Sequence, residues 1–316
     1  MGSINARKKS GTSASNLGII TASTLAGIPG LLHGFSTRCG GVSEAYGGQA
    51  LNLGITPEDT RAAVERNRDL FLQAIGASDD GASVAGASGP GTRIEDPRHT
   101  LWPMIRMRQV HSSLIHRVDE VPPQPLQGDG LVTDRPGIVL AVRVADCLPV
   151  LMADPARRAV GAFHAGWRGT LARMVEKGVG EFRRQFGSDP ADMKAAIGPG
   201  IHRCCYEVSE ELRDKFGSQF SYAGDLFEEV FSSDPVRRKY PLLFMNMCAP
   251  GHGEPPRAPH LDLVEANRRQ LLEAGVREEN IWISDLCTSC RTDLLFSHRR
   301  EKGVTGRMVG AIGIAE

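Results

Sequence analysis

Three apolar runs, VLAVRV at 139–144, VLMAD at 150–154 and AVGAF at 159–163, succeed one another with hardly a polar residue inside them. Short β-branched and aliphatic runs of this kind predict strands buried on both faces. Asp146 and Cys147 follow the first run and His164 follows the third, so chemistry-bearing residues stand at predicted strand ends. Upstream, GIITAST and GLLHGFS predict two more strands, the second leading into a glycine-rich loop with Ser36, Arg38, Gly40 and Gly41. Thr56-Pro57 and Asp59 predict a helix start with proline at the first helical position. Val64, Leu70, Phe71 and Ala74 continue its apolar face to about Ile75. Alternation along IRMRQVH sets Ile105, Met107, Gln109 and His111 on one strand face, and Asp129 in GDGLVTD reads as a turn residue.

Further along, Thr170 is placed to cap a helix through Leu171, Met174, Val175, Val179, Phe182 and Phe186, with Gly187 as its stop. KAAIGPGI predicts a strand and turn, Ser209 caps a helix, and Asp262 with Glu265 opens another that ends at Gly275. Strands are predicted at 281–284 and 308–314, and 217–259 reads as irregular. Residues 1–29 read as a disordered tail and a first strand. Residues 30–316 read as one domain of mixed strands and helices, with a flexible Gly/Ala/Ser/Asp-rich insertion at about 76–100.

Composition narrows the class of partner. The chain carries 37 basic and 37 acidic residues, so nothing argues for nucleic-acid binding. Arg143, Asp146 and Asp154 interrupt the longest apolar stretch short of the roughly 20 residues a membrane helix needs. The basic and polar N-terminus has no apolar segment behind it, and the seven cysteines are an odd number. Reduced thiols in the cytoplasm are the expectation.

His111, Cys147 and His164 suit a borderline-soft ion such as zinc, with a fourth position open. Their spacing matches no short zinc motif, and a rival use of the same residues is a Cys147 nucleophile activated by His164 or His111 and oriented by Asp146. The glycine-rich loop with Arg38, and the helix start after HAGWRG with Arg168, are candidate anion cradles. Cys204 and Cys205 read as small buried hydrophobes, and Cys287-x-x-Cys290 as core or pocket-wall thiols rather than a second metal site. Arg299, Arg300 and Arg307 read as a solvated charge run.

HGFSTRCGGVS, LNLG, RQVH, GDGLVTD, ADCLPVLMAD, GAFHAGWRGT, AIGPGI with CCYEV, and FSHRREKGVTGRM together resemble the laccase-domain family over about residues 30 to 314. Members carry the names polyphenol oxidase, purine nucleoside phosphorylase and peptidoglycan editing factor. The resemblance implies an α+β fold of mixed sheets sandwiched and flanked by helices, with the site at strand ends. It also implies one zinc on His111, Cys147 and His164, which are then both metal-binding and catalytic. The implied activity is phosphorolysis of adenosine, inosine, guanosine and methylthioadenosine, with some adenosine deamination, so the partners are purine nucleosides and phosphate. Matched by motif and chemistry, Ser36, Arg38, Asn52 and Gln109 become substrate-binding candidates. Asp146, Trp167, Arg168 and Arg299 join them. A copper-dependent polyphenol oxidase, a cysteine- or zinc-dependent amidase acting on peptidoglycan precursors, and a zinc-stabilised binding protein are the alternatives; copper is the less expected metal because one three-ligand site lacks the several centres of a multicopper oxidase. The chain departs from the family pattern at 76–100, at 232–259 and at His298, where an aromatic is usual. Oligomeric state is not legible.

Overall fold

β-Branched and aliphatic runs with few charges can be satisfied only by burial on both faces, and that requirement organises the molecule. A computed structural model describes residues 17–78, 101–231 and 257–316. The strands are β1 (Ile19–Ile20), β2 (Leu31–Ser36), β3 (Cys39–Ser43), β4 (Met104–Arg106), β5 (Ile115–Arg117), β6 (Gly130–Thr133) and β7 (Val139–Val144). They continue with β8 (Leu148–Asp154), β9 (Ala159–Ala165), β10 (Lys194–Ile197), β11 (Phe227–Phe231), β12 (Arg257–Leu261), β13 (Ile281–Ile283) and β14 (Met308–Ile314). The helices are α1 (Ser23–Ala26), α2 (Arg61–Ala74), α3 (Trp167–Leu171), α4 (Met174–Phe186), α5 (Glu210–Gln219) and α6 (Leu263–Glu273).

One sheet runs β1-β2-β14-β7-β4 and a second β13-β10-β8-β9-β6-β5. Both are mixed: β4 is parallel to β7, β5 to β6 and β10 to β13, and the other pairs in these two sheets are antiparallel. The two sheets face each other across a core in which Phe35, Leu140, Val142 and Ile312 of the first meet Leu151, Val160, Ala162 and Ala196 of the second. Helix α2 covers the outer face of the first sheet, with Phe71 and Leu72 against Val139, Ala141 and Val309. Helices α4, α5 and α6 cover the outer face of the second, where Val175, Val179 and Phe182 meet Val150, Met152 and Phe163. Every residue of β8, β9 and β14 is buried, which is why these runs show no polar alternation. The expected sandwich of mixed sheets flanked by helices is the observed architecture.

Several local expectations shift. Helix α2 begins after Thr60, whose hydroxyl accepts from Ala63 N, and not at Thr56-Pro57, because Asp59 is drawn off to Ser43 and Asn52. The helix expected from Thr170 is broken in two at Arg173, which takes a left-handed φ of 58°. Its first segment starts earlier, at Trp167 with Gly166 in the cap position, and the Thr170 hydroxyl accepts from Asn267 instead of capping. Part of the stretch expected to be irregular forms an antiparallel ribbon of β11 and β12. Ser209 and Asp262 cap α5 and α6 as expected. The tail to residue 16 and the heart of the predicted insertion lie outside the described residues, as does 232–256.

Candidate metal centre and cavity

Strand β7 belongs to the first sheet and β8 to the second, and the chain crosses between them through Ala145, Asp146 and Cys147. So abrupt a corner puts Asp146 at φ 89°, a backbone state that costs a non-glycine residue on the order of 1 kcal/mol. The Asp146 carboxylate holds the corner: it accepts from Thr288 Oγ1 at 2.6 Å, Ser297 Oγ at 2.7 Å and Arg299 N at 2.6 Å. Cys147 is thereby presented at the end of the sandwich, beside His164 on β9. His111 arrives from the segment after β4, also with a positive φ of 59°. The ligand atoms of His111, Cys147 and His164 all lie within 4.8 Å of one another, and the two imidazoles meet edge to face at 5.0 Å.

Asp129 assembles this group. Its buried carboxylate accepts from the backbone N–H groups of Val110, His111 and Ser112, from Ser112 Oγ at 2.7 Å, and pairs with His164 Nδ1 at 2.8 Å. The strained His111 turn and the tautomer of His164 therefore answer to one carboxylate, which leaves His164 Nε2 for Cys147 and for an ion. Burial opposes ionisation of Asp129, but the bonds from His164 and Ser112 outweigh it and hold the carboxyl well below its usual range. Burial likewise disfavours the Cys147 thiolate, yet the charge of His164 and hydrogen bonds from both histidines bring its pKa down to about 6. His164 moves the other way: burial disfavours its cation, and the Cys147 charge with the Asp129 bond raises it to about 9. The two shifts have one cause, the attraction between a Cys147 thiolate and a charged His164. With two imidazole nitrogens, one thiolate and a carboxylate behind a ligating histidine, the site fits a zinc ion with one position open.

Gly166 makes room for this. A Cβ there would stand 2.7 Å from Cys147 Sγ and 3.4 Å from a His111 ring carbon, so the glycine of HAGWRG is required by close approach.

The centre forms one wall of a cavity of about 450 Å³, a volume suited to a small-molecule ligand. Arg143, Arg299 and Arg307 also line it, with Gln109, Tyr206 and Ile55. Arg143 is clamped by the Gln109 amide, which bonds both its N–H and its carbonyl, and its buried Nε has no hydrogen-bond partner. Burial lowers the Arg143 pKa, and the neighbouring charges of Arg68 and Arg307 lower it further. Arg307 is fixed through its backbone N–H to Asn52 Oδ1 at 2.9 Å, and Arg299 lies over Tyr206 at 5.4 Å. Among the described residues none of the three forms an ion pair with a carboxylate. Guanidinium groups without an ion pair, on a cavity whose lining also includes Asp146 and Cys147, are suited to an anionic ligand.

The expected site residues divide accordingly. His111, Cys147 and His164 come together, with Gln109, Asp146 and Arg299 on the same cavity. Asn52 is fully buried and absent from the cavity lining; its Oδ1 accepts from the backbone N–H of Arg307. Ser36 is buried in the sheet, where its hydroxyl accepts from Val309 N, so it does not line the cavity. Arg38 does not either: it bonds the carbonyls of Thr292 and Tyr46, pairs with Glu301, and lies over Phe296. Trp167 and Arg168 line a neighbouring depression beyond Tyr206 and stack on each other at 4.2 Å. Arg307, which reads from sequence as solvated, faces the cavity with Arg299. Arg143 is not among the expected residues, although one arginine inside an apolar strand run is the visible signal for it. Cys204 and Cys205 are exposed and half-buried rather than packed in the core.

Two histidines and a cysteine that could hold a metal ion thus stand at the crossover of a β-sandwich, on the wall of an arginine-lined cavity of small-molecule size. The family model described as "Multi-copper polyphenol oxidoreductase laccase" matches residues 32–87 and 94–315, and the chain belongs to that family. A purine nucleoside phosphorylase of Deinococcus radiodurans is 36% identical over 284 residues, 89% of this chain and 88% of that protein. The purine nucleoside phosphorylase YlmD of Geobacillus stearothermophilus is 38% identical over 188 residues, a match spanning 60% of each chain. Among solved structures, Bacillus licheniformis YfiH aligns with TM-score 0.70 at 32% identity, covering 90% of this chain and 92% of that one.

Proposed function

We propose that the protein is a zinc-dependent purine nucleoside phosphorylase, converting adenosine, inosine, guanosine and methylthioadenosine to free base and the corresponding pentose 1-phosphate. The observation that carries this reading is the pairing of the His111-Cys147-His164 centre with three arginines that, among the described residues, lack carboxylate partners across one cavity. The names of the relatives agree with it.

Zinc held by His111, Cys147 and His164 would supply a Lewis acid with one position open to substrate. Arg143, Arg299 and Arg307 hold phosphate by charge-assisted hydrogen bonds and orient one of its oxygens towards C1′ of the ribose. This replaces Arg38 and Arg168 of the sequence reading. As that oxygen bonds to C1′, the bond from C1′ to N9 breaks and its electron pair leaves with the purine, which takes up a proton. Gln109 keeps Arg143 in place, and Tyr206 with Ile55 closes the cavity around the base. Zinc is the metal preferred here because two imidazoles and one thiolate, with a carboxylate behind a ligating histidine, are a donor set that zinc takes with a further position left for substrate. For adenosine deamination, zinc held by the same three residues would supply an activated water as the nucleophile.

The test is base release from inosine by purified protein. Release that requires phosphate and falls at least 100-fold in His164→Ala is expected, as is a KM for phosphate raised about tenfold or more in Arg143→Ala. Turnover of no nucleoside by zinc-loaded protein in phosphate would sink the phosphorylase. Copper in untreated protein would reopen oxidation, and release of ammonia from adenosine without phosphate measures the deaminase.

A further inference from the structure

A second cluster, outside the cavity, has chemistry of its own. Cys204 and Cys205 lie on the loop after β10, and Cys287 and Cys290 on the loop after β13. The two pairs are far apart in the chain, yet all four sulfurs lie within 4.8 Å of one another. The sulfurs of Cys204 and Cys205 are 3.8 Å apart, those of Cys204 and Cys290 3.6 Å, and those of Cys205 and Cys290 3.4 Å. Four thiolates at about 2.3 Å from a tetrahedral zinc stand about 3.8 Å from each other, so the observed spacings are close to those of a four-cysteine cage.

We propose that Cys204, Cys205, Cys287 and Cys290 form a second, structural metal site that takes zinc. Three features of the loops agree. The Cys287 sulfur accepts the backbone N–H of His202 at 3.4 Å, and the amides of Ser289 and Cys290 point at the same atom, the arrangement that stabilises a ligating thiolate. The two loops are already paired along their backbones, with Thr288 N donating to Gly200 O at 2.9 Å and Gly200 bridged to Cys287. Cys204 and Cys290 are exposed, which gives an ion access, while Cys287 is buried. Four thiolates close the coordination sphere, so the site is structural and distinct from the centre with an open position.

Its position assigns it a task. The first loop continues into Tyr206, which lines the cavity, and the second carries Thr288, which bonds the Asp146 carboxylate at the sheet crossover. Zinc here clamps together two loops that support the catalytic wall from behind.

Elemental analysis of the full chain, purified without chelator, tests this. About two zinc equivalents per chain are expected, one for each cluster. His164→Ala should retain about one, and Cys287→Ser with Cys290→Ser should also retain about one, so failure of the first centre is read separately from failure of the second. In case the double variant does not fold, Cys290→Ser alone alters an exposed side chain and should lose the same equivalent. Cobalt substituted into a His111→Ala, Cys147→Ser, His164→Ala variant should give the thiolate-to-metal absorption of a tetrahedral all-sulfur site. Unchanged zinc content in the Cys290→Ser protein overturns the proposal. So does a wild-type protein whose four cysteines titrate as disulfides or as free thiols without metal, and so does iron in place of zinc.

Discussion

Asp129 shows how much can depend on one carboxylate. It bonds His164 Nδ1 and holds the strained turn that delivers His111, so two of the three candidate ligands are placed by one residue behind them. Asparagine is the same size but offers one acceptor oxygen where both carboxylate oxygens are used. Asp129→Asn should weaken zinc binding about 10- to 100-fold while leaving the fold intact, as read by competition with a chromophoric chelator and by circular dichroism. Unchanged affinity would mean that His164 is oriented by other contacts. The sequence marks Asp129 only as a turn residue, since nothing local tells that His164, in another strand, lies opposite it.

At the scale of elements, the site is a consequence of how β7, β8, β9 and the short helix α3 meet. Buried strand runs were legible because a strand covered on both faces needs an unbroken apolar sequence. Helix starts were less legible. Thr56, Thr60 and Thr170 all satisfy a capping rule, and which one caps was decided by partners elsewhere: Ser43 and Asn52 take Asp59, and Asn267 takes Thr170. The junction of β9 with α3 makes its own prediction. Gly166 has φ −82°, which alanine adopts without strain, so any effect of Gly166→Ala comes from its methyl group meeting Cys147 Sγ. The variant should lose zinc affinity and activity at least tenfold with a near-native thermal midpoint, measured by metal competition, nucleoside turnover and calorimetry.

The described residues form four layers, helix, sheet, sheet, helices, and their stability carries a pH dependence separate from the cavity. His33 on β2 is buried and accepts the Ala22 N–H at 2.8 Å through Nε2, which requires the neutral ring. Burial lowers its pKa from 6.5 to about 4. Between these values the unfolded chain binds more protons than the native one, so stability is present above about pH 6.5 and is lost as pH falls towards 4. From pH 7 to pH 5 the loss should be about 2 kcal/mol. His33→Gln retains an acceptor without a titrating ring, and its urea-unfolding free energy should fall by about that much less over the same interval. Parallel pH profiles of the two proteins would show that His33 is not the responsible group.

By itself the sequence determined the buried strands, the strand-end placement of Cys147 and His164, and the order of motifs that identifies the family. These are local properties, written in runs of apolar residues and in short fixed spacings. The tertiary structure alone decided that Arg143 and Arg307 face the cavity while Arg38 is bound by Thr292, Tyr46 and Glu301 on a separate surface. It also decided that a vicinal cysteine pair and a distant C-x-x-C become one cluster. The physical reason is common to both. The direction of a long charged side chain, or the partner of a thiol, depends on atoms that sheet packing brings from far along the chain, and no periodicity within a segment encodes them.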